Sequence, residues 1–435
     1  MPPLLPDDVE TLGSRALDPL RQLLWTRQRE ILAASSFYRR IWSGRPPPHR
    51  WQEVSALPFI DKAAIRASQE QHPPFGDYLS TAPDLVRRVH RTSGTTGRPM
   101  NTALSERDCA MYARVGGRAV RAVGLGPGHI AMHCLNYCLW MGGYTDHATL
   151  EAAGATVVPF GVGGSEHLIR TMQELGADAI YCTPSYPAVL ERVIADKFPG
   201  LTPRDLNLRI AILTGEPGLE NPAFRERVEA AWGFRARNLY GISDILTTFA
   251  GECDAGHDLH FAAVDALLPE LVDADTGVPL PWHDGTTGEL VLTHLERECQ
   301  PLVRFRTGDI VTLVTTEACA CGRTTPRIQV KGRADDMVIV RGVNVFPGAV
   351  AAVLNRFSAL SGEFRIHLET PPPFDRLPVQ AEMVSGRSPD PDLAHDIAAA
   401  LRTAIRASAE ITLLPHGSLP LSEGKSRRVL RSYRP

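Results

Sequence analysis

The chain has 435 residues, 43% of them hydrophobic and 22% charged, with a formal net charge of −3. That supports a large buried core and roughly two to four domains. Charges of both signs are interspersed, which gives no global electrostatic reason to bind nucleic acid or an anionic membrane.

The N-terminal stretch MPPLLPDDVETLG lacks the basic and apolar regions of a secretory signal, so the cytoplasm is the expected compartment. No apolar run approaches the ~18–20 residues of a membrane span. The first 70 or so residues read as amphipathic helix (LDPLRQLLWTRQREILAAS) followed by a proline-rich break, GRPPPHRW. The segment LVRRVHR then reads as a strand. Short apolar runs bounded by glycine or proline follow: HIAMHCL, ATVVPFG, ADAIYCTP and LRIAILTG. Helix-like segments, GSEHLIRTMQELG and PSYPAVLERVIADKF, separate them. This alternation predicts an α/β fold with a mostly parallel sheet covered on both faces. From Gly285 the pattern turns to strands and turns, and after Lys331 a second unit of about a hundred residues begins.

Several stretches carry chemistry. In TSGTTGRP, Thr92 to Pro99, glycines permit close backbone approach and the hydroxyls of Ser93, Thr95 and Thr96 add donors. Taken alone it is equally a phosphate cradle or a polar turn, and it lacks Walker A spacing. NLYGISD offers an aromatic, a glycine, a hydroxyl and a carboxylate at Tyr240, Gly241, Ser243 and Asp244. Asp309 in RFRTGDI has the chemistry to accept from a ribose diol. KGRADDMVIVRGVNVFP ends in a strand and a glycine turn, and Lys425 lies in SEGKSRRVL.

The eight cysteines are few and scattered, which argues against a disulfide framework. ECDAGHDLH and ACACGRT nevertheless supply Cys253, His260, Cys319 and Cys321, the chemistry of a closed Cys₃His zinc site. His257 is the competing ligand, and free surface thiols are the alternative.

The order TSGTTGRP, YGISD, RFRTGD, GRADD…RGVNVFP and a late GK resembles the adenylate-forming enzymes (acyl-CoA synthetases, adenylation domains, luciferases). SSFYRRIW, ALPFIDKAAIR, GATVVPF, CTPSYPAVL, ILTGEPG and DDMVIVRGVNVFPGAV are similar to phenylacetate–CoA ligases in particular. The resemblance implies a large N-terminal domain, residues 1–334, with parallel-rich sheets, covering helices and a β subdomain. A small mobile α+β domain, 335–435, follows.

It implies ATP, Mg²⁺ and coenzyme A as cofactors. Ser93, Gly94, Thr95, Thr96 and Gly97 would hold the β- and γ-phosphates. Glu216 and Pro217 would line the adenine site, Tyr240 would stack on the base beside Gly241, and Ser243 would touch the α-phosphate. Asp309 and Arg333 would hold the ribose. Lys425 would serve adenylation, Asp335 would be the hinge of a domain rotation, and Gly342 would lie on the coenzyme A face. Tyr137, Trp140, Gly142 and Gly215 would line a flat acyl pocket suited to an aryl acid, and His147 is a polar neighbour with the chemistry to recognise a ring substituent, in a direction the sequence does not give. Some relatives carry the same Cys/His pattern with structural zinc.

Two positions depart from the family. Asp244 stands where glutamate usually ligates Mg²⁺, and Arg98 where lysine is common. The expected activity is aryl-acid–CoA ligation. A stand-alone enzyme loading a carrier-protein thiol and a non-catalytic nucleotide-binding protein are the alternatives. A homodimer is compatible with either.

Overall fold

The computed structural model describes residues 8–91, 99–216, 218–341, 343–419 and 428–433. These form two compact units: one of residues 8–214 and 232–329, the other of 215–231 and 330–433.

In the first unit, helices α1 (Asp8–Thr11), α2 (Ser14–Ala34), α3 (Ser36–Ile41) and α4 (Lys62–Gln71) precede an antiparallel pair, β1 (Val86–Arg91) and β2 (Asn101–Ser105). Helix α5 (Glu106–Ala122) begins at a capping box, with Ser105 Oγ accepting from the Asp108 backbone and Asp108 accepting from the Ser105 backbone. Then come β3 (Ile130–His133), α6 (Met141–Ala153), β4 (Thr156–Val158), α7 (Ser165–Leu175), β5 (Ala179–Cys182), α8 (Tyr186–Lys197), β6 (Ile210–Leu213) and β7 (Arg235–Arg237); α9 (Pro222–Trp232), between β6 and β7 in the chain, belongs to the second unit up to Ala231.

The five strands β3 to β7 make one parallel sheet in the order β4-β3-β5-β6-β7. Strands β5 and β6 are buried at every residue, which is why they read as continuous apolar runs. Leu150 and Ala153 of α6 join Ala119 and Val120 of α5, Ala131, Tyr181 and Ile212 in one core cluster. Helices α5 and α6 approach closely because a Cβ on Gly116 would lie 2.2 Å from Thr149, leaving glycine as the residue that fits.

A second sheet has eight strands: β8 (Leu239–Ile242), β9 (Leu246–Cys253), β10 (Gly256–Phe261), β11 (Leu267–Val272), β12 (Pro279–Leu280), β13 (Thr287–His294), β14 (Phe305–Thr315) and β15 (Arg327–Arg333). Their order is β12-β11-β13-β14-β15-β10-β9-β8. It contains the strand-and-turn region expected after Gly285, and extends it back to Leu239.

The second unit holds the hairpin β16 (Val338–Val340) and β17 (Val343–Val345), helices α10 (Pro347–Leu354) and α11 (Pro391–Ile405), and a mixed sheet of β18 (Leu360–Leu368), β19 (Leu377–Met383), β20 (Ala409–Leu414) and β21 (Val429–Arg431). That sheet runs β20-β19-β18-β21. Its core gathers Val350, Ile366, Val379, Ile397, Leu401 and Val429. No helix among the described residues is long and apolar enough to cross a membrane.

Candidate active site

Of the residues assigned to nucleotide, Ser93, Gly94, Thr95, Thr96, Gly97 and Pro217 lie outside the described residues, as do Gly342 and Lys425. Tyr240 on β8 and Asp309 on β14 meet: the phenol donates to Asp309 Oδ2 at 2.7 Å. Their strands stand four places apart in the sheet, about 19 Å if it were flat. The pairing therefore requires the sheet to curl. Thr307 Oγ1 accepts from the Asp309 backbone at 3.0 Å and holds that turn. At Gly241 a Cβ would sit 1.7 Å from the Thr247 carbonyl oxygen, so the β8–β9 hairpin closes only over glycine. Ser243 and Asp244 form the tip, where the Ile245 amide donates to Ile242 at 2.9 Å.

Asp244 is buried, and its carboxylate pairs with the Lys62 ammonium at 3.0 Å. Lys62 opens α4 directly after its N-cap, Asp61. Sequence reasoning counted FIDKAAIR only as part of a resemblance, and the pairing has no local sequence signal. In the second unit Arg333 Nε donates to Asp335 at 2.9 Å. Gly215 and Glu216 follow β6 directly, Gly215 with φ of 90°.

Of the residues assigned to the acid, Tyr137, Trp140 and Gly142 follow the carboxyl end of β3, and Gly215 follows β6. Gly142 and Gly143 open α6 under the Asn136–Trp140 loop. A Cβ on Gly143 would meet the Asn136 carbonyl at 2.3 Å, and one on Gly142 would meet Trp140 at 2.9 Å. His133, ending β3, is fully buried and stacks on Tyr181 of β5 with ring centroids 5.2 Å apart and planes 11° from parallel. Tyr137 lies against His133 at 5.0 Å. Burial, helped by the nearby His147 ring, pushes His133 down to about 3, so it is neutral. Behind Tyr181, Asp146 accepts from its hydroxyl at 3.0 Å and from Thr248 at 3.2 Å. Burial raises Asp146 to about 6 against those hydrogen bonds. His133, Asp146 and Tyr181 escaped the sequence reading because each looks like an ordinary strand or helix residue.

Cys253, His260, Cys319 and Cys321 converge, their ligand atoms all within 4.8 Å of one another. Cys253 ends β9, His260 lies on β10, and β15 pairs with β10 at His260↔Arg327, which brings the Cys-x-Cys loop alongside. The Cys253 and Cys319 sulfurs are 3.8 Å apart, far beyond a disulfide's ~2.05 Å. Cys321 Sγ and His260 Nε2 are 3.5 Å apart. A tetrahedral ion with bonds of ~2.0–2.3 Å needs ligand separations of about 3.3–3.8 Å, and these two pairs match that spacing. Thr325 Oγ1 holds His260 Nδ1 at 3.0 Å and leaves Nε2 for a metal. His257 lies outside this group. Buried Glu10 clamps Arg323 of the loop at 2.8 Å.

The chain belongs to the AMP-binding enzyme family: that family's model matches residues 51–294, and the AMP-binding enzyme C-terminal domain model matches 342–432. It is an enzyme of the AMP-forming acid–thiol ligase kind. Among its relatives is a phenylacetate-coenzyme A ligase of Thermus thermophilus, 36% identical over 97% of this chain and 98% of that one. A second, from Aromatoleum evansii, is 31% identical over 98% and 97%. A crystal structure of 2-hydroxyisobutyryl-CoA ligase with 2-HIB-AMP superposes with a TM-score of 0.88 at 27% identity, covering 98% of this chain and 94% of that one.

Proposed function

We propose that this enzyme is an ATP-dependent aryl-acid–CoA ligase. The observation that supports the acid class is the ring cluster of His133, Tyr137 and Tyr181 at the ends of β3 and β5. Flat walls suit an aromatic ring, and relatives sharing nearly the whole chain are named for phenylacetate.

In the first half-reaction the acid's carboxylate oxygen attacks the α-phosphorus of ATP and pyrophosphate leaves. In the second, a coenzyme A thiolate attacks the acyl carbon and AMP leaves. The first step brings anions together, so positioning and charge neutralisation carry it. Ser93 to Gly97 hold the leaving pyrophosphate and Lys425 the reacting oxygens. Glu216, Pro217, Tyr240 and Ser243 seat adenosine monophosphate, and Asp309 and Arg333 its ribose. Asp244 is the carboxylate that would hold Mg²⁺, which would neutralise phosphate charge. Lys62 already offers Asp244 a cation, so the metal must share or displace it. Residues 335–435 form the small domain, which pivots at Asp335 to bring the Gly342 face in for the thiol step. Cys253, His260, Cys319 and Cys321 would hold a structural zinc, whose four protein ligands would leave it no catalytic role.

ATP–pyrophosphate exchange across a panel of aryl acids, with fatty acids and 2-hydroxyisobutyrate as controls, tests the reading. Exchange restricted to aryl acids is expected. Exchange only with the controls would overturn it. Product analysis with coenzyme A and with a carrier protein separates the two acceptors.

A further inference from the structure

The order β4-β3-β5-β6-β7 reverses direction at β3: the chain moves one way to β4 and the other way to β5. At such a switch point the connections diverge and leave a crevice beyond the strand ends, where open α/β sheets bind ligands. His133 and Tyr181 pair across this point, one on β3 and one on β5.

Two features make it more than an apolar slot. Neither ring nitrogen of His133 has a hydrogen-bond partner, although the side chain is 0% exposed. The Gly142 backbone lies near but out of bonding geometry. Leaving a buried polar group unsatisfied is costly, so each such group calls for an explanation; a hydrogen-bonding ligand group supplies one here. Beside it runs a polar chain of fixed direction. The Glu151 carboxylate can only accept, so His147 Nε2, 3.2 Å away, carries the proton. In the neutral imidazole Nδ1 then has only a lone pair, and Tyr137 Oη at 2.9 Å must donate to it. Its proton spent, the Tyr137 oxygen turns only lone pairs toward anything else. Tyr144 stacks on His147 at 5.9 Å, and Arg88 covers Tyr144 at 4.3 Å, so the chain is held in place.

We infer that the enzyme selects aryl acids bearing a hydrogen-bond-donating ring substituent, a hydroxyl or amino group, which Tyr137 reads as an oriented acceptor. This rests on the aryl-acid reading and goes beyond it. An unsubstituted ring would cover the Tyr137 lone pairs and His133 without pairing them. A methoxy or fluoro group brings a second acceptor against the first. Tyr137, His147 and His133 are thus specificity-determining residues, and Glu151 is a positioning residue that sets the tautomer.

The test compares exchange kcat/KM for hydroxy- and amino-substituted aryl acids with that of their methoxy, fluoro and unsubstituted counterparts. Because a built hydrogen-bonding site rejects analogues strongly, a preference of at least about tenfold for the donors is expected. Tyr137→Phe should collapse it to within roughly threefold, through loss on the donor acids alone, with AMP binding by calorimetry unchanged. His147→Gln, which still accepts at one end and donates at the other, should retain the preference and serves if Tyr137→Phe fails to fold. Equal rates for acids with and without a donor in the wild type would overturn the inference and leave the aryl reading standing, as would an equal fall for both classes in Tyr137→Phe. Loss of the preference in a folded His147→Gln would also overturn it. Exchange with no aryl acid would overturn both.

Discussion

Asp146→Asn isolates one buried carboxyl group behind the Tyr181 ring. The carboxyl is buried, and burial raises it from 3.8 to about 6. In the folded protein it holds a proton that the unfolded chain releases in the window between those values. Folding stability from this group is therefore present below about pH 4 and lost as pH rises through about 6. Some two units at 1.36 kcal/mol each give a penalty of about 3 kcal/mol above pH 7. Asparagine keeps an acceptor for the Tyr181 hydroxyl and an amide for Thr248, and never ionises. Denaturant unfolding of both proteins from pH 4 to 8 should show the asparagine variant gaining on the wild type through pH 4–6, reaching about 3 kcal/mol and levelling off. Taking the difference cancels carboxylates common to both chains. A constant difference across the range, or an asparagine variant that is the less stable at pH 8, would refute the reasoning.

Three further outcomes follow from other parts of the molecule. Cys319→Ser should lose zinc and stability together, checked by metal analysis and melting; full stability without metal would remove the structural role. Gly241→Ala forces a Cβ to 1.7 Å from the Thr247 carbonyl. It should lower the melting temperature and cut AMP binding, whereas Gly348→Ala, with nothing within 4 Å, should change neither. Lys62→Gln removes the ammonium from Asp244. A pair with one partly exposed partner is worth up to about 1 kcal/mol, so Mn²⁺ measured by electron paramagnetic resonance as a Mg²⁺ substitute, with a non-hydrolysable ATP analogue, should bind roughly fivefold tighter. Weaker cation binding would show that Lys62 assists the site rather than competing for it.

The parallel strands were legible because burial on both faces leaves β5 and β6 without polar interruption. Helix α5 was not singled out, although Met111, Tyr112, Val115 and Val120 line its buried side; a glycine pair and a buried arginine interrupt that stripe. The Cys₃His set could be proposed from residue type, yet only the β10–β15 pairing explains why its halves meet. Motif order alone selected Tyr240 and Asp309, and the curl of the sheet joins them. The Lys62–Asp244 pair and the stacking of His133 on Tyr181 left no trace in the sequence, because each partner is ordinary in its own segment and the contact is made by topology.

The central claim is that the chain first makes an aryl-adenylate and then passes the acyl group to a thiol. Mass spectrometry of enzyme incubated with ATP, Mg²⁺ and a hydroxy- or amino-substituted aryl acid, before and after adding coenzyme A, tests it directly. The account predicts one equivalent of bound aryl-adenylate that disappears into aryl-CoA and AMP when the thiol is added. No adenylate with any aryl acid, or an adenylate that coenzyme A leaves untouched, would contradict it.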